Sequence, residues 1–265
     1  MKNPKISVVT VCYNAVETIE KTILSVINQT YQNIEYIIID GGSKDGTVDV
    51  VNKYRDKIAF FVSEPDKGIY DAMNKGIKVA TGDWINFMNA GDTFFSSETI
   101  GNIFDDKNYL GNAVVYGDAK YIQKCGWYEL RASGIEAFHE HTPFCHQSAF
   151  ICTSIMREYG YDTRYRFASD YNFFYNLWKA SYKMKYVPET IAVFDASEVS
   201  FSGSHPFLVL QEEMKISHST YYSVQFIKRF VHICLGRVLR LLPSSKTIRE
   251  RRFRKNTNIK AYNIK

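Results

Sequence analysis

The chain reads as an α/β protein: a mainly parallel sheet flanked by helices, then a smaller mixed part, then a basic amphipathic helix. Three observations predict this. Strand-like and helix-like patterns alternate through the first ninety residues. The strand-like runs are continuously apolar, as in strands buried on both faces. Polar, often glycine-containing turns follow those strands where a parallel sheet presents its carboxyl edge.

Residues 6–12 form a Val-rich run that predicts the first strand. Residues 17–31 place Ile19, Ile23, Val26 and Ile27 at helical spacing. A second strand is expected over 34–39, a helix over 47–54, a third strand over 58–62 and a helix over 69–80 closed by Gly82. Residues 84–88 give the fourth strand. Such a series implies right-handed crossovers. From about residue 111 the pattern changes. Short strands are expected at 113–116 and 121–123, a loop with three histidines over 137–147, and a strand over 148–153. Asp170 opens an aromatic helix over 171–180. Closing strands follow at 184–187 and 191–194, and a helix around 211–217. These patterns divide the chain into a first half, 1–112, a second half of the same domain, 113–217, and a tail, 218–265.

A chain of 265 residues with 45% apolar and 23% charged residues is an ordinary globular composition, which excludes disorder and a disulfide-stapled miniprotein. No apolar run approaches the roughly 18 residues of a spanning helix. Residues 1–5 pass straight into a strand with no apolar leader, so residence in the cytosol is expected. Cys12, Cys125, Cys145, Cys152 and Cys234 are scattered without a Cys-x-x-Cys, which fits reduced thiols. Tyr and Phe are abundant, and filling the core is their default role. Charge is uneven: residues 226–265 carry 12 Lys and Arg against one acid, leaving a net of −6 on the rest. An anionic partner for the tail follows, a membrane surface or a nucleic acid.

Four stretches should meet at the carboxyl edge: 10–14, 40–43, 64–67 and 89–92. In the second, Asp40 at a strand end suits a base or ribose contact, while Ser43 or Asp45 fits a helix cap. In the fourth, Asp92 of Asn89-Ala90-Gly91-Asp92 suits a hard divalent cation, although an Asx turn is the plain alternative.

Several motifs are similar to those of the family 2 glycosyltransferases. They are Ser7-Val8-Val9-Thr10-Val11-Cys12-Tyr13-Asn14, the Asp-Gly-x-Ser-x-Asp-Gly-Thr element at 40–47, Glu64-Pro65-Asp66-Lys67-Gly68-Ile69-Tyr70-Asp71-Ala72-Met73-Asn74-Lys75-Gly76, and the strand ending in Asn89-Ala90-Gly91-Asp92. The likeness runs through residues 5–95 and more thinly to about 215, and resembles most the bacterial members that build exopolysaccharide, capsule or O-antigen units. It implies a GT-A, Rossmann-related fold, a nucleoside-diphosphate sugar donor, expected to be UDP-linked, and inverting transfer assisted by Mg²⁺ or Mn²⁺. It places Thr10, Asn14, Asp40, Asp66, Lys67, Tyr70, Asn74 and Asn89 on the nucleotide-sugar side. Asp92 matches the metal-holding acid of the family's Asp-x-Asp element, and Asn89 and Gly91 stand where acids often stand.

An inverting transfer needs a base opposite the leaving group. Asp170, in Ala168-Ser169-Asp170-Tyr171, resembles the family segment that supplies it, against the alternative of a helix cap. Asp162 is a weaker candidate. His146-Gln147 resembles a pair on the acceptor side. His139, His141 and His146 match no strong zinc spacing. Ser197-Glu198-Val199-Ser200 stands where many relatives carry Gly-Gly-Val-Ser.

Read as a helix, residues 226–242 put Ile227, Phe230, Val231, Cys234, Leu235, Val238, Leu241 and Leu242 on one face and Lys228, Arg229, His232, Arg237 and Arg240 on the other, before Pro243. That suits an anionic membrane, or a helix packed on the domain. The Arg-rich stretch 249–255 carries no recognisable nucleic-acid fold. The expected partners are therefore a nucleotide-sugar donor, a saccharide or polyprenyl-linked acceptor and the inner face of the plasma membrane. A non-catalytic nucleotide-sugar binder remains the alternative. A nucleotidyltransferase fits less well, because residues 13–17 lack its glycines and cations.

Overall fold

The structure is a computed structural model that describes residues 3–123, 126–139, 141–196 and 205–217, with 227, 230, 231, 233 and 234. One sheet organises the described residues, in the order β3-β2-β1-β4-β8-β6-β9-β5, with β7 paired to β6. β1 (Ile6–Cys12), β2 (Ile34–Asp40), β3 (Phe60–Ser63) and β4 (Trp84–Phe87) run parallel, joined by α1 (Ile19–Ile27), α2 (Thr47–Asn52) and α3 (Ile69–Val79). These follow the apolar runs of the sequence closely. The two faces of β1 alternate: Val9 and Val11 meet Met73 and Ile77 of α3, while Ile6 and Val8 meet Ile19 and Ile23 of α1.

Beyond β4 the sheet becomes mixed. β8 (Ala149–Cys152) pairs antiparallel to both β4 and β6 (Val114–Gln123), β7 (Gly126–Leu130) pairs antiparallel to β6, and β9 (Met184–Asp195) runs parallel to β6. β5 (Thr93–Phe94) closes the edge against β9. α4 (Thr99–Phe104) covers one face; α5 (Thr153–Tyr159), α6 (Ser169–Lys179) and α7 (Pro206–Ser217) belong to the other half of the chain.

Two expectations need correction here. The short strands at 113–116 and 121–123 are one continuous strand, and so are those at 184–187 and 191–194. The break in pattern is a bulge: the register jumps between Tyr116↔Tyr186 and Asp118↔Thr190. Pro188, which cannot donate to a ladder, sits where the ladder is already interrupted. α4 and α5 were not anticipated. The helix expected at 211–217 begins earlier, at Pro206.

The edge of the sheet remote from the carboxyl ends is tied by Glu35. Its carboxylate accepts from Lys5 Nζ (2.8 Å), Ser7 Oγ (2.6 Å), Thr81 N (2.6 Å) and Thr81 Oγ1 (2.5 Å). Neighbouring Gly82 must be glycine, since a Cβ would fall 2.7 Å from Lys5 O and Ser7 N. Burial alone would raise the Glu35 pKa, but the bonds from Lys5, Ser7 and Thr81 outweigh it and hold it down at about 2. A depressed carboxylate stabilises the fold above its ordinary range, and that contribution disappears as pH falls from about 4.5 towards 2. Glu35→Gln is therefore expected to destabilise the protein by roughly 2–3 kcal/mol at neutral pH. Urea denaturation at pH 7 and pH 3 checks it: the gap between parent and variant should narrow in acid.

No helix among the described residues is long and apolar enough to cross a membrane. Cys12, Cys145, Cys152 and Cys234 are free thiols. The Ser197-Glu198-Val199-Ser200 stretch, the Arg-rich stretch 249–255 and most of the amphipathic tail lie outside the described residues. Within that tail Ile227, Phe230 and Val231 are 49%, 42% and 46% exposed.

Candidate active site

The strand ends form the floor of a cleft. Gly41 N donates to Cys12 O (2.9 Å), Ala90 N to Val11 O (3.1 Å) and Glu64 N to Asp40 O (3.0 Å), so the four polar stretches are linked through backbone at the carboxyl edge. A cavity of about 1040 Å³ opens there. Tyr13, Gly41, Gly42, Asp66, Lys67 and Asn89 line its first-half side, and Thr163, Tyr165 and Arg166 its other side. Gly41 permits the close approach: a Cβ would sit 2.4 Å from Asp66 Oδ2.

Some of the expected nucleotide-side residues do not face this cavity. Asp40 is fully buried, and its carboxylate accepts from Ser43 Oγ (2.5 Å), Ser63 Oγ (2.6 Å), Ser43 N (2.9 Å) and Gly42 N (3.1 Å). Burial pushes its pKa up, but the bonds from Ser43 and Ser63 prevail and lower it. In this conformation Asp40 shapes the loop that bears Gly41 and Gly42. Thr10 is also fully buried; its hydroxyl donates to Met88 O (2.8 Å) and lies 3.1 Å from Tyr36 Oη. Asn14 joins two loops, its N–H donating to Ser43 Oγ (2.7 Å) and its Oδ1 accepting from Lys44 N (3.1 Å).

Asn74 clamps the segment that follows α5. Its Nδ2 donates to Tyr161 O and its Oδ1 accepts from Tyr161 N, both at 2.8 Å. Tyr70 is buried, and its hydroxyl donates to Asp170 Oδ1 (2.8 Å), with Phe167 O at 3.2 Å. Asp45 bonds Val16 N and Thr47 N beside the start of α2, whose cap position is Gly46, while Ser43 is engaged with Asp40 and Asn14. Neither Ser43 nor Asp45 occupies the cap position expected for it.

Asp92 is not among the residues that line this cavity. It is 6% exposed; its Oδ2 accepts from Gln147 Nε2 (2.7 Å) and its Oδ1 from Asp195 N (3.3 Å). Burial drives its pKa up to about 7 against the bonds from Gln147 and Asp195. The buried Oδ1 of Asn89, a residue that lines the cavity, has no hydrogen-bond partner. The described residues contain no cluster of three or more His, Cys, Asp and Glu able to hold a metal. One carboxylate and one unsatisfied amide oxygen nevertheless fit a hard cation that takes its remaining ligands from substrate phosphates and water.

His146 is buried, 2.6 Å from Tyr161 Oη through Nε2, and packs against Phe87 and Phe174. Burial lowers its pKa, so it sits neutral in an aromatic core. Its neighbour Gln147 reaches Asp92. His139 meets Trp178 edge-on at 4.4 Å. Asp162 is bound by Arg164 through both carboxylate oxygens, and that contact holds its pKa below the usual carboxylate range. Asp170 is half-buried in the first turn of α6. Sequence reasoning missed Tyr13, which lines the cavity at 65% exposure, and Arg166. Tyr13 lay inside a stretch already singled out, and an aromatic residue at a strand's carboxyl end was the available signal.

Comparison with known proteins agrees with this architecture. The model of "Glycosyl transferase family 2" matches residues 7–194. A "PGL/p-HBAD biosynthesis glycosyltransferase" of Mycobacterium bovis is 27% identical over 181 residues, covering 65% of this chain and 69% of that protein. An uncharacterized glycosyltransferase of Mycobacterium tuberculosis is 30% identical over 184 residues, covering 64% and 67%. Among solved structures, S. aureus TarS 1-349 in complex with UDP-GlcNAc superposes with a TM-score of 0.60 at 16% identity, over 85% of this chain and 72% of that one. The mannosyltransferase PcManGT of Pyrobaculum calidifontis, in complex with GDP-Man and Mn²⁺, gives 0.65 at 15% identity, over 97% and 82%. The fold is that of the GT-A glycosyltransferases. With the family model spanning well over half of its length, the chain belongs to glycosyl transferase family 2 and is a glycosyltransferase.

Proposed function

We propose that the enzyme transfers a sugar, with inversion, from a UDP-linked donor to a saccharide or lipid-linked acceptor in bacterial surface polysaccharide synthesis. The observation that carries this reading is the shared cleft. Tyr13, Asp66, Lys67 and Asn89 line one side of a single cavity, and the segment leading to Asp170 lines the other. In this reading residues 1–112 bind the donor and residues 113–217 bind the acceptor and supply the base.

Each residue then has a physical task. The exposed Tyr13 ring offers a stacking face for the nucleobase. Asp66 and Tyr165 bound the space around the ribose, and Asp40, Asn14 and Thr10 hold the loops in shape from beneath. Lys67 and Arg166 bring positive charge to the diphosphate. Asn89 and Asp92 are the residues that would hold Mg²⁺ or Mn²⁺, and such an ion would supply charge neutralisation for the diphosphate. Asp170 accepts the proton of the acceptor hydroxyl. The freed oxygen bonds to the anomeric carbon, and the bond from that carbon to the diphosphate oxygen breaks with its electron pair remaining on the diphosphate. Tyr70 and Asn74 position the segment that bears the base, Gln147 holds Asp92 from the acceptor side, and His146 ties the same stretch to Tyr161. The exposed Ile227, Phe230 and Val231, with the basic residues around them in sequence, support attachment at an anionic membrane surface, the cytoplasmic face of the plasma membrane.

UDP release, measured across a panel of UDP-sugars and lipid-linked saccharides with and without Mn²⁺, tests the proposal. Release that needs one donor and an acceptor is expected. Binding of the donor without release under any pairing would favour a non-catalytic binder. Tyr13→Ala is expected to raise the donor KM about 5- to 150-fold, the loss of one stacked base worth roughly 1–3 kcal/mol, with kcat changed far less. Initial rates over a donor titration check it.

A further inference from the structure

We infer that Glu212 is a positioning residue for catalysis, one that sets the place of the proposed base without lining the cavity. The inference rests on Asp170 being that base. α6 begins with Ala168 at its cap position, and no side-chain cap comes from that residue. Alanine is a poor choice there, because the first N–H groups of a helix have no internal partner. The chain entering that helix is held instead by a carboxylate from α7, which reaches the N–H of the cap residue and of the two residues before it. Glu212 Oε1 accepts from Arg166 N (2.9 Å), and Oε2 accepts from Phe167 N (2.8 Å) and Ala168 N (3.0 Å). One carboxylate thus satisfies three consecutive backbone donors, and it places negative charge at the amino end of the helix where charge is favourable.

These three residues join the cavity to the base. Arg166 lines the cavity, and Asp170 stands two residues beyond Ala168 in the first turn. From the opposite side the Tyr70 hydroxyl bonds Asp170 Oδ1 and Phe167 O. Tyr70 thus holds the segment through a carbonyl and the base itself, and Glu212 holds it through the amides. Removing the carboxylate leaves three donors unpaired and frees the segment to move relative to the donor side. A displacement of about 1 Å in a catalytic group is enough to cost on the order of 10²-fold in rate. Asp170 acts on the reacting bond and Arg166 on the diphosphate, so most of the loss falls on kcat and a smaller part on donor affinity.

Kinetics of Glu212→Ala and Glu212→Gln, measured well below each variant's melting temperature and beside Asp170→Asn, test this. Glu212→Ala is expected to lower kcat 10- to 100-fold with donor KM and UDP affinity within about threefold. Glu212→Gln keeps the shape and one acceptor oxygen, and is expected to restore an intermediate kcat. Amide hydrogen exchange over 166–168 should accelerate in the same order. If Glu212→Ala does not fold, the folded Gln variant decides: kcat within twofold of the parent overturns the inference. A lowered melting temperature with unchanged kcat in either variant does the same, since the contact would then serve stability alone. Full turnover by Asp170→Asn would instead overturn the base reading, and with it the route by which Glu212 acts. An inactive Asp170→Asn beside a fully active Glu212→Gln rejects only Glu212.

Discussion

Asp170→Asn is expected to reduce turnover by roughly 10²–10⁴-fold while the fold and UDP binding persist. That is the range a positioned general base contributes. Asparagine has the same shape, and its Oδ1 can still accept the Tyr70 hydroxyl that now reaches Asp170 at 2.8 Å. Only the capacity to take a proton is lost, together with a helix-dipole interaction of about 0.3–1 kcal/mol. The melting temperature should therefore move little. Asp162→Asn is the matched control. Its carboxylate is already held through both oxygens by Arg164, so turnover should remain within a few-fold of the parent. If the two variants exchange behaviour, the base is Asp162.

The second large effect is expected at Asp92. Asp92→Ala removes the carboxylate proposed to hold the cation and is expected to lower turnover by at least about 10²-fold, the scale of losing one preorganised group at a developing charge. Mn²⁺ binding in the presence of UDP should weaken in parallel, as isothermal titration would show. Stability should respond in the opposite sense for Asp92→Asn. Burial raises the folded-state pKa to about 7, so ionisation of this acid opposes folding as pH rises through the interval between its ordinary value and 7. Asparagine carries no charge to desolvate. The gap in melting temperature in favour of Asp92→Asn, measured in metal-free buffer, should widen between pH 5 and pH 8. A variant that is less stable at pH 8 would mean that the bonds to Gln147 and Asp195 outweigh desolvation.

How far the molecule could be read from its sequence depends on how local the signal is. β1, β2 and β4 were legible because strands buried on both faces leave unbroken apolar runs, and β3, a half-exposed edge strand, by its short apolar run; their carboxyl ends named the edge where the cleft lies. β6 and β9 were split by a bulge near Gly117 and by Pro188, where a local pattern fails although the strand continues. Which loop side chains turn inward was less legible. Thr10 lies on the same alternating set as Ile6, Val8 and Cys12, the α1 face, so its hydroxyl is buried by strand periodicity. Asp40 finds an acceptor's full complement of partners partly from Ser63, on a neighbouring strand that no spacing rule links to it. Glu212 and Arg166 had no signal at all, since a carboxylate that caps a helix 44 residues earlier in the chain leaves no local motif.

Glycosyl transfer at this site requires that the cleft lined by Tyr13, Asp66, Lys67 and Asn89 hold a nucleoside diphosphate with its cation. Thermal unfolding of the full chain with UDP, GDP and their sugars, with and without Mn²⁺, measures this directly. A ligand that binds only the folded form at about 100 times its Kd adds roughly 2.7 kcal/mol, or about 5 °C or more in melting temperature for a chain of this size. A Mn²⁺-dependent rise with UDP and one UDP-sugar, lost in Tyr13→Ala and Asp92→Ala, is the predicted result. No rise with any nucleotide, or a rise unchanged in both variants, would contradict it.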